Sequence, residues 1–256
     1  MARDYDSSKT RVKPVLDRVS ATGTDWLTRL LALPTGGGRL PEGLDLTVVR
    51  KAWGEPEPSL PAPPGLLRWL VQNLNVAPPD ADLRPSARMR RLLVQRDADT
   101  IRRALSELER DASGGNWWVL EGPTYPDALI ETPDAVIVIE GKRTERGPTL
   151  RTTWMPTRHQ MLRHMDAAWE YRGGRCILGF FIVEADDSGV PNHWRSAVID
   201  TVAPETLSKS LPHRTPEEQA EIAAGFLGVT TWDAVCAEFT IDPTDLPETV
   251  NDLPPG

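Results

Sequence analysis

The sequence lacks several features that would place it in common classes. Its two cysteines, Cys176 and Cys236, are far apart and form no CxxC pair, so we expect reduced thiols and no metal or redox site built on them. No apolar run approaches the roughly 20 residues that cross a bilayer, and no apolar stretch follows the charged N-terminus as in a signal peptide. The 256 residues therefore predict a soluble, cytoplasmic protein with no membrane partner and enough chain for one large core.

Motifs for several chemistries are missing as well. The glycines at 36–38 are not followed by the Gly-Lys-Ser/Thr of a phosphate loop, so they predict a flexible turn. His159 and His164 lie on one predicted helix without the HExxH spacing, which argues against zinc. Nothing in the sequence indicates an organic cofactor.

Charge is unevenly distributed along the chain. The net charge of −8 argues against a protein that coats nucleic acid by bulk electrostatics. Residues 84–175 nevertheless carry a net +3, whereas residues 176–256 carry −11. An anionic partner would therefore meet the middle of the chain and not its tail.

The pattern of prolines and apolar residues divides the chain into three parts. Residues 1–95 are rich in proline and glycine with short helical signals, and predict a helical, loop-rich accessory region. Residues 96–200 hold the buried-strand patterns and predict the core. Residues 201–256 predict a C-terminal helical extension, with a capping box at Thr215 and an acidic, proline-rich tail.

The core predicts an α/β fold in the order helix, strand, strand, strand, helix, strand. The second and third strands, DALIE and AVIVIE, have the β-branched density of buried strands and flank a turn at Pro133-Asp134. The other elements are a helix over 99–111, a strand over 117–121, a helix over 157–171, a strand over 175–185 and an extra strand over 193–199.

The hairpin of DALIE and AVIVIE predicts a cluster of charged residues. Pairing about the turn puts Asp127 directly opposite Glu140 on one face of the sheet, with Cβ atoms about 5 Å apart. Lys142 follows on that face about 7 Å further along, while Gly141 points away and leaves its carbonyl near the site. Asp134 lies in the turn, about 20 Å along the strand from Glu140, and is excluded as a partner.

Two carboxylates beside a carbonyl form an oxygen site of the kind that Mg²⁺ or Mn²⁺ prefers. A lysine beside a metal-bound water can orient it or neutralise charge on a phosphate. The cluster therefore predicts hydrolysis of phosphodiesters. The competing interpretation is an exposed ion pair of Glu140 and Lys142 at a strand end, with Asp127 capping a turn.

These residues resemble a known family. Pro126-Asp127 followed by Glu140-Gly141-Lys142 at the end of an apolar strand is similar to the motif of the PD-(D/E)XK superfamily of restriction-endonuclease-like nucleases, over about residues 99–183. Gln160 resembles the glutamine of the QxxxY motif of RecB-like members, with His164 where those have tyrosine.

The resemblance implies a restriction-endonuclease-like core, a mixed central sheet flanked by helices, with helical additions at both ends. It implies that Asp127, Glu140 and the Gly141 carbonyl hold the metal, that Lys142 is the catalytic amine, and that Gln160 belongs to the active site. The candidates for a further acidic ligand of the metal are Glu107, Glu109 and Glu121. The arginines expected to bind the nucleic acid are Arg143, Arg146, Arg151, Arg158 and Arg163.

The sequence therefore predicts a Mg²⁺-dependent nuclease that acts on DNA in preference to RNA. A homodimer is compatible with this function. One alternative is an inactive protein of the same fold that binds DNA or a protein. Another is a Mg²⁺-dependent enzyme for a small phosphorylated substrate, which would need a closed pocket instead of an open groove.

Overall fold

The computed structural model describes residues 6–110, 120–150 and 152–252. Over these residues the chain is an α/β protein built on a six-stranded mixed sheet, which confirms the predicted class. The strands are β1 (Thr35–Gly36), β2 (Arg50–Trp53), β3 (Ala128–Glu131), β4 (Ala135–Gly141), β5 (Cys176–Val183) and β6 (Phe226–Thr231).

Helices surround the sheet and form an additional layer at one side. A π-helical segment, Ser8–Val12, leads into the first of them. The α-helices are α1 (Lys13–Val19), α2 (Trp26–Leu31), α3 (Pro64–Asn73), α4 (Pro85–Val94), α5 (Ala98–Arg110), α6 (Gln160–Tyr171), α7 (Asn192–Thr201), α8 (Pro204–Ser210), α9 (Pro216–Ala224) and α10 (Trp232–Glu238). Within the described ranges, no helix is both long and apolar enough to cross a membrane.

The strand order in the sheet is β1-β6-β5-β4-β3-β2. The central pairs β4·β5 and β5·β6 are parallel, and the outer pairs are antiparallel. Every residue of β4 is buried, as the continuous apolar pattern predicts for a strand covered on both faces. The β3–β4 hairpin has the predicted register, with Ala128 opposite Ile139.

Alternate residues of the strands enter two different cores. Ile137 and Ile139 pack on one face with α1, α2 and α10. Val136 and Val138 pack on the other face with α6 and α7. A third cluster joins α3, α4 and α5 through residues such as Leu70, and lies outside the two sheet cores.

The region over 1–95 is more closely integrated than its composition suggests. It supplies both edge strands, β1 and β2, and two of the helices on one face of the sheet. The glycines at 36–38 are no flexible turn, because Gly36 pairs with Gly228 and the N–H of Gly38 donates to the carbonyl of Phe226 at 2.7 Å. Glycine is required there by the close approach of two backbones.

Two of the predicted strands differ from the structure. The segment 193–199 is helix α7 and no strand, because Trp194 and Val198, four residues apart, pack on the same core. The first predicted strand falls partly outside the described residues, and Leu120 and Glu121 at its end are in a bend. The strand that pairs with β3 is instead β2. Strand β6 was not predicted.

Gly38→Ala should destabilise the protein by about 1–3 kcal/mol, the usual cost of forcing extra volume into a packed site. A Cβ added at Gly38 would lie 2.0 Å from the carbonyl oxygen of Ala224, the last residue of α9, which cannot move without shifting the end of that helix. Urea unfolding of the variant measures the change. Gly147→Ala is the control, because a Cβ there has no neighbour within 4 Å; equal stability of the two variants would contradict the prediction.

Candidate active site

The β3–β4 register brings Asp127 and Glu140 together on the face covered by α6. Asp127 directly precedes β3, and its Oδ2 accepts the backbone N–H of Gly141 at 2.8 Å. Gly141 itself faces the opposite core, where an added Cβ would lie 2.6 Å from Val12 and 2.8 Å from Trp232. The predicted arrangement, two carboxylates on one face with the glycine turned away, is present.

Glu140 is the centre of a buried polar cluster. The Nζ of Lys142 lies 2.9 Å from its Oε1, and the Nε2 of Gln160 donates to the same oxygen at 2.6 Å. Gln160 is the first residue of α6, and its own Oε1 accepts the N–H of Thr149 at 3.3 Å. The four residues predicted as catalytic, Asp127, Glu140, Lys142 and Gln160, therefore lie in one cluster.

Two further side chains take part that the sequence analysis had not assigned to the site. The Nε2 of His164 lies 3.1 Å from Oε2 of Glu140, although off the direction of a good hydrogen bond, and its Nδ1 lies 2.7 Å from the hydroxyl of Thr124. Gln160 and His164 are four residues apart and so share one face of a helix, and this spacing is the sequence signal that indicates His164 as a further residue of the site. The charge of Glu57 makes a small contribution to the field at Asp127.

The two carboxylates titrate differently because their surroundings differ. Burial, and then the charge of Glu140, raise the pKa of Asp127 to about 8. Burial also acts against ionisation of Glu140, but His164 and Lys142 outweigh it and hold the pKa of Glu140 below its ordinary value. For Lys142, burial is outweighed by Glu140, so that its pKa is raised and it keeps its charge.

The donor set fits a hard divalent cation. Asp127 is a buried carboxylate that has one backbone N–H as its hydrogen-bond partner and a second carboxylate beside it, which is a site that a cation would stabilise. The protein supplies two carboxylates there and no more: among the described residues no group of three or more His, Cys, Asp or Glu side chains could hold a metal. Water or substrate oxygens would have to complete the coordination.

The further acidic ligands proposed from the sequence are placed elsewhere. Glu107 pairs with Arg103 at 3.1 Å on α5, and Glu109 is exposed on the same helix, whose main contacts are with α3 and α4. Glu121 is buried, and both of its oxygens are occupied: Oε1 by Arg158 at 2.9 Å, and Oε2 by the indole N–H of Trp154 at 3.0 Å. None of the three joins the Asp127–Glu140 pair.

Arg158 does not edge a groove, which corrects its assignment to nucleic-acid binding. Its side chain is fully buried, and Nη2 lies 2.9 Å from Glu121 and 2.8 Å from Asp166, while Nη1 donates to the carbonyl of Ser210. Burial opposes ionisation of Asp166, but Arg158 and its other basic partners hold the pKa of this carboxyl well below its usual range. This guanidinium is therefore structural.

The other described arginines of this set have different surroundings, and Arg143 is enclosed, with 5% of its side chain exposed. Arg143 is bound to Glu184 at 2.7 Å and to Glu248 at 3.1 Å near the C-terminus. Arg163 donates to the carbonyls of Gly122 and Pro123, close to the site, and Arg146 is exposed. Arg151 lies outside the described residues. Of the four that the structure describes, Arg163 is the one found beside the Glu140 cluster.

Comparison with protein-family models, with curated proteins and with solved structures finds no match for this chain.

Arg158→Met should destabilise the protein by about 3–5 kcal/mol, because it leaves Glu121 and Asp166 buried without their shared cation. Chemical unfolding followed by circular dichroism measures this loss. Arg146→Met is the control, since an exposed substitution normally changes stability by about 0.5 kcal/mol or less. If Arg158→Met were as stable as the wild type, the buried network would contribute nothing to stability.

Asp127 should make the wild type less stable as the pH rises. The pKa is about 8 in the folded protein and about 4 in an unfolded chain, so between these values the folded state holds a proton that the unfolded state has released. Folding then takes up a proton, and the free energy of unfolding falls from about pH 4 to about pH 8.

Asp127→Asn removes this titration while keeping an oxygen for the Gly141 N–H. In EDTA it should be more stable than the wild type above about pH 8, and the difference should shrink toward about pH 4, as measured by urea unfolding. Asp187→Asn, at an exposed position, should keep the wild-type pH dependence. A constant difference between Asp127→Asn and wild type at all pH values would contradict the assignment.

Proposed function

We propose that the protein is a metal-dependent nuclease of the PD-(D/E)XK type, which hydrolyses phosphodiester bonds, with DNA as the expected substrate. The observation that supports it most directly is the convergence of Asp127 and Glu140 across the β3–β4 pair, with Lys142 bonded to Glu140 at 2.9 Å. Gln160 from the following helix binds the same carboxylate. Buried charged groups of this kind cluster at functional sites.

The order of elements supports the same assignment. Strands β2, β3 and β4 are successive antiparallel neighbours, α6 crosses over, and β5 returns parallel to β4. The neighbours in the sheet are arranged as the resemblance implies, but along the chain β2 is separated from β3 by α3, α4 and α5, so it is not the strand expected over 117–121. The interpretation of Glu140 and Lys142 as an exposed ion pair is not supported, because both side chains are about nine-tenths buried.

Each side chain of the cluster has a role in this proposal. Asp127 and Glu140 would hold Mg²⁺ or Mn²⁺, and the Gly141 carbonyl stays a predicted third ligand. When bound, the ion supplies positive charge for the phosphate and a water of lowered pKa. Lys142 stays protonated and directs its ammonium group to the phosphate charge or to the attacking water. Gln160 and His164 fix the orientation of Glu140.

Lys142→Met should reduce Mg²⁺-dependent cleavage of DNA at least about a hundredfold, because one electrostatic group is lost from the reacting phosphate. It should keep the rise in melting temperature that Mg²⁺ gives the wild type, since the carboxylates remain. Asp127→Asn should lose both. Lys209→Met, an exposed lysine on α8, is the control and should match the wild type in both assays.

Single-stranded, duplex and circular DNA and RNA, each with Mg²⁺, Mn²⁺ or EDTA, are the substrates for this assay. Absence of cleavage of all of them, together with tight binding of DNA, would replace the proposal by the inactive binding protein of the same fold. Cleavage by Lys142→Met at the wild-type rate would show that the lysine role is wrong even where the carboxylate roles are right.

A further inference from the structure

A small cavity opens directly beside Glu140. Its volume is about 200 Å³, and its walls include Thr124, Tyr125, Thr149, Gln160, Arg163 and His164. Two of these, Gln160 and His164, also contact the carboxylate of Glu140, so the inner end of the cavity is the candidate active site. With the nuclease function proposed above, a group bound there would lie next to the reacting phosphate.

The size of the cavity limits what it can hold. Sites for whole drug-sized ligands have volumes of about 300–1,000 Å³. A cavity of about 200 Å³ is smaller, and suits one planar ring system with its attached group. A base that is paired inside a duplex cannot enter the cavity, because it would first have to leave the stack.

The chemistry of the walls suits a nucleobase. Tyr125 leaves 51% of its surface exposed, and aromatic rings of this kind stack on bases of any sequence. No described residue hydrogen-bonds to its hydroxyl or to that of Thr149, so both are available to the polar edge of a base. Arg163 ties down the loop before Tyr125 through its bonds to the carbonyls of Gly122 and Pro123 at 3.3 and 3.0 Å.

The chain connects this wall rigidly to the metal-binding residues. Tyr125 precedes Asp127 by two positions, with Pro126 between them, so the backbone has little freedom there. Thr124 is paired with Leu60 in an isolated bridge, and its hydroxyl contacts His164 at 2.7 Å. The backbone that carries Tyr125 is therefore held next to Asp127.

We propose that this cavity receives one unpaired nucleobase adjacent to the scissile phosphodiester, which makes single-stranded DNA, or the frayed end of a duplex, the substrate. The proposal rests on the nuclease function proposed above and specifies its substrate class. Tyr125 supplies the stacking surface, and Thr149 a hydrogen bond to the edge of the base.

The test is a binding measurement with a fluorescent oligodeoxythymidylate and a blunt duplex of the same length. It is made in EDTA, and also with Mg²⁺ in a Lys142→Met background. The single strand should bind at least about tenfold tighter than the duplex. Tyr125→Ala should weaken binding of the single strand about tenfold or more, as expected for the loss of one stacking contact. Tyr125→Phe should retain most of the affinity.

The controls separate this inference from the nuclease function. Leu83→Ala, at a residue that is 86% exposed and distant in the chain, should bind as the wild type does. Equal affinity for both DNAs, or unchanged binding by Tyr125→Ala, would overturn the base site, while Mg²⁺-dependent cleavage that is lost in Lys142→Met would leave the nuclease function intact. Neither binding nor cleavage of any nucleic acid would overturn both.

Discussion

The pairing register of β3 and β4 is the constraint on which the candidate site depends. Side chains alternate along a strand, so a slip of one residue would move Glu140 to the opposite face from Asp127. The turn helps to fix the register, because the N–H of Ala135 donates to the hydroxyl of Thr132 at 2.9 Å. The apolar residues fix it further, since even-numbered and odd-numbered positions of β4 enter different cores.

The second constraint is the position of α6 on that face. The helix begins at Gln160, and its second turn is held by the contacts of Asp166 with Arg158 and Arg214, both at 2.8 Å. Buried ion pairs add little stability on balance, but they fix geometry, because any displacement leaves an unpaired charge. The network thus holds Gln160 and His164 against Glu140 without using the residues of the site itself.

The parts of the fold that were predictable are those set by local sequence. The hairpin follows from two apolar runs and a Pro-Asp turn, and the position of Gln160 follows from the start of the next helix. The burial of Arg158 was not predictable in this way. Its partners Glu121 and Ser210 lie 37 and 52 residues away in the sequence, and a charge run normally indicates a solvated face.

Strands β2 and β6 were also not predictable from their local sequence. Strand β2 has four residues, and Arg50 and Lys51 are exposed, so it has no apolar pattern that would mark it. Its existence depends on the unpaired edge of β3, which only the assembled sheet provides. Strand β6 has six residues and closely follows a helix with a clear capping box, so that its sequence was assigned to the helical extension.

The two carboxylates of the site are not equally compensated, and the less compensated one would be stabilised by a bound cation. Lys142 and Gln160 both bind Oε1 of Glu140, so one carboxylate is well compensated, while Asp127 has the Gly141 N–H as its main compensation. A sequence selected for stability alone would place an apolar residue at a buried position such as 127. Retaining a carboxylate there lowers stability near neutral pH, and proteins keep such unfavourable groups where a ligand restores the balance.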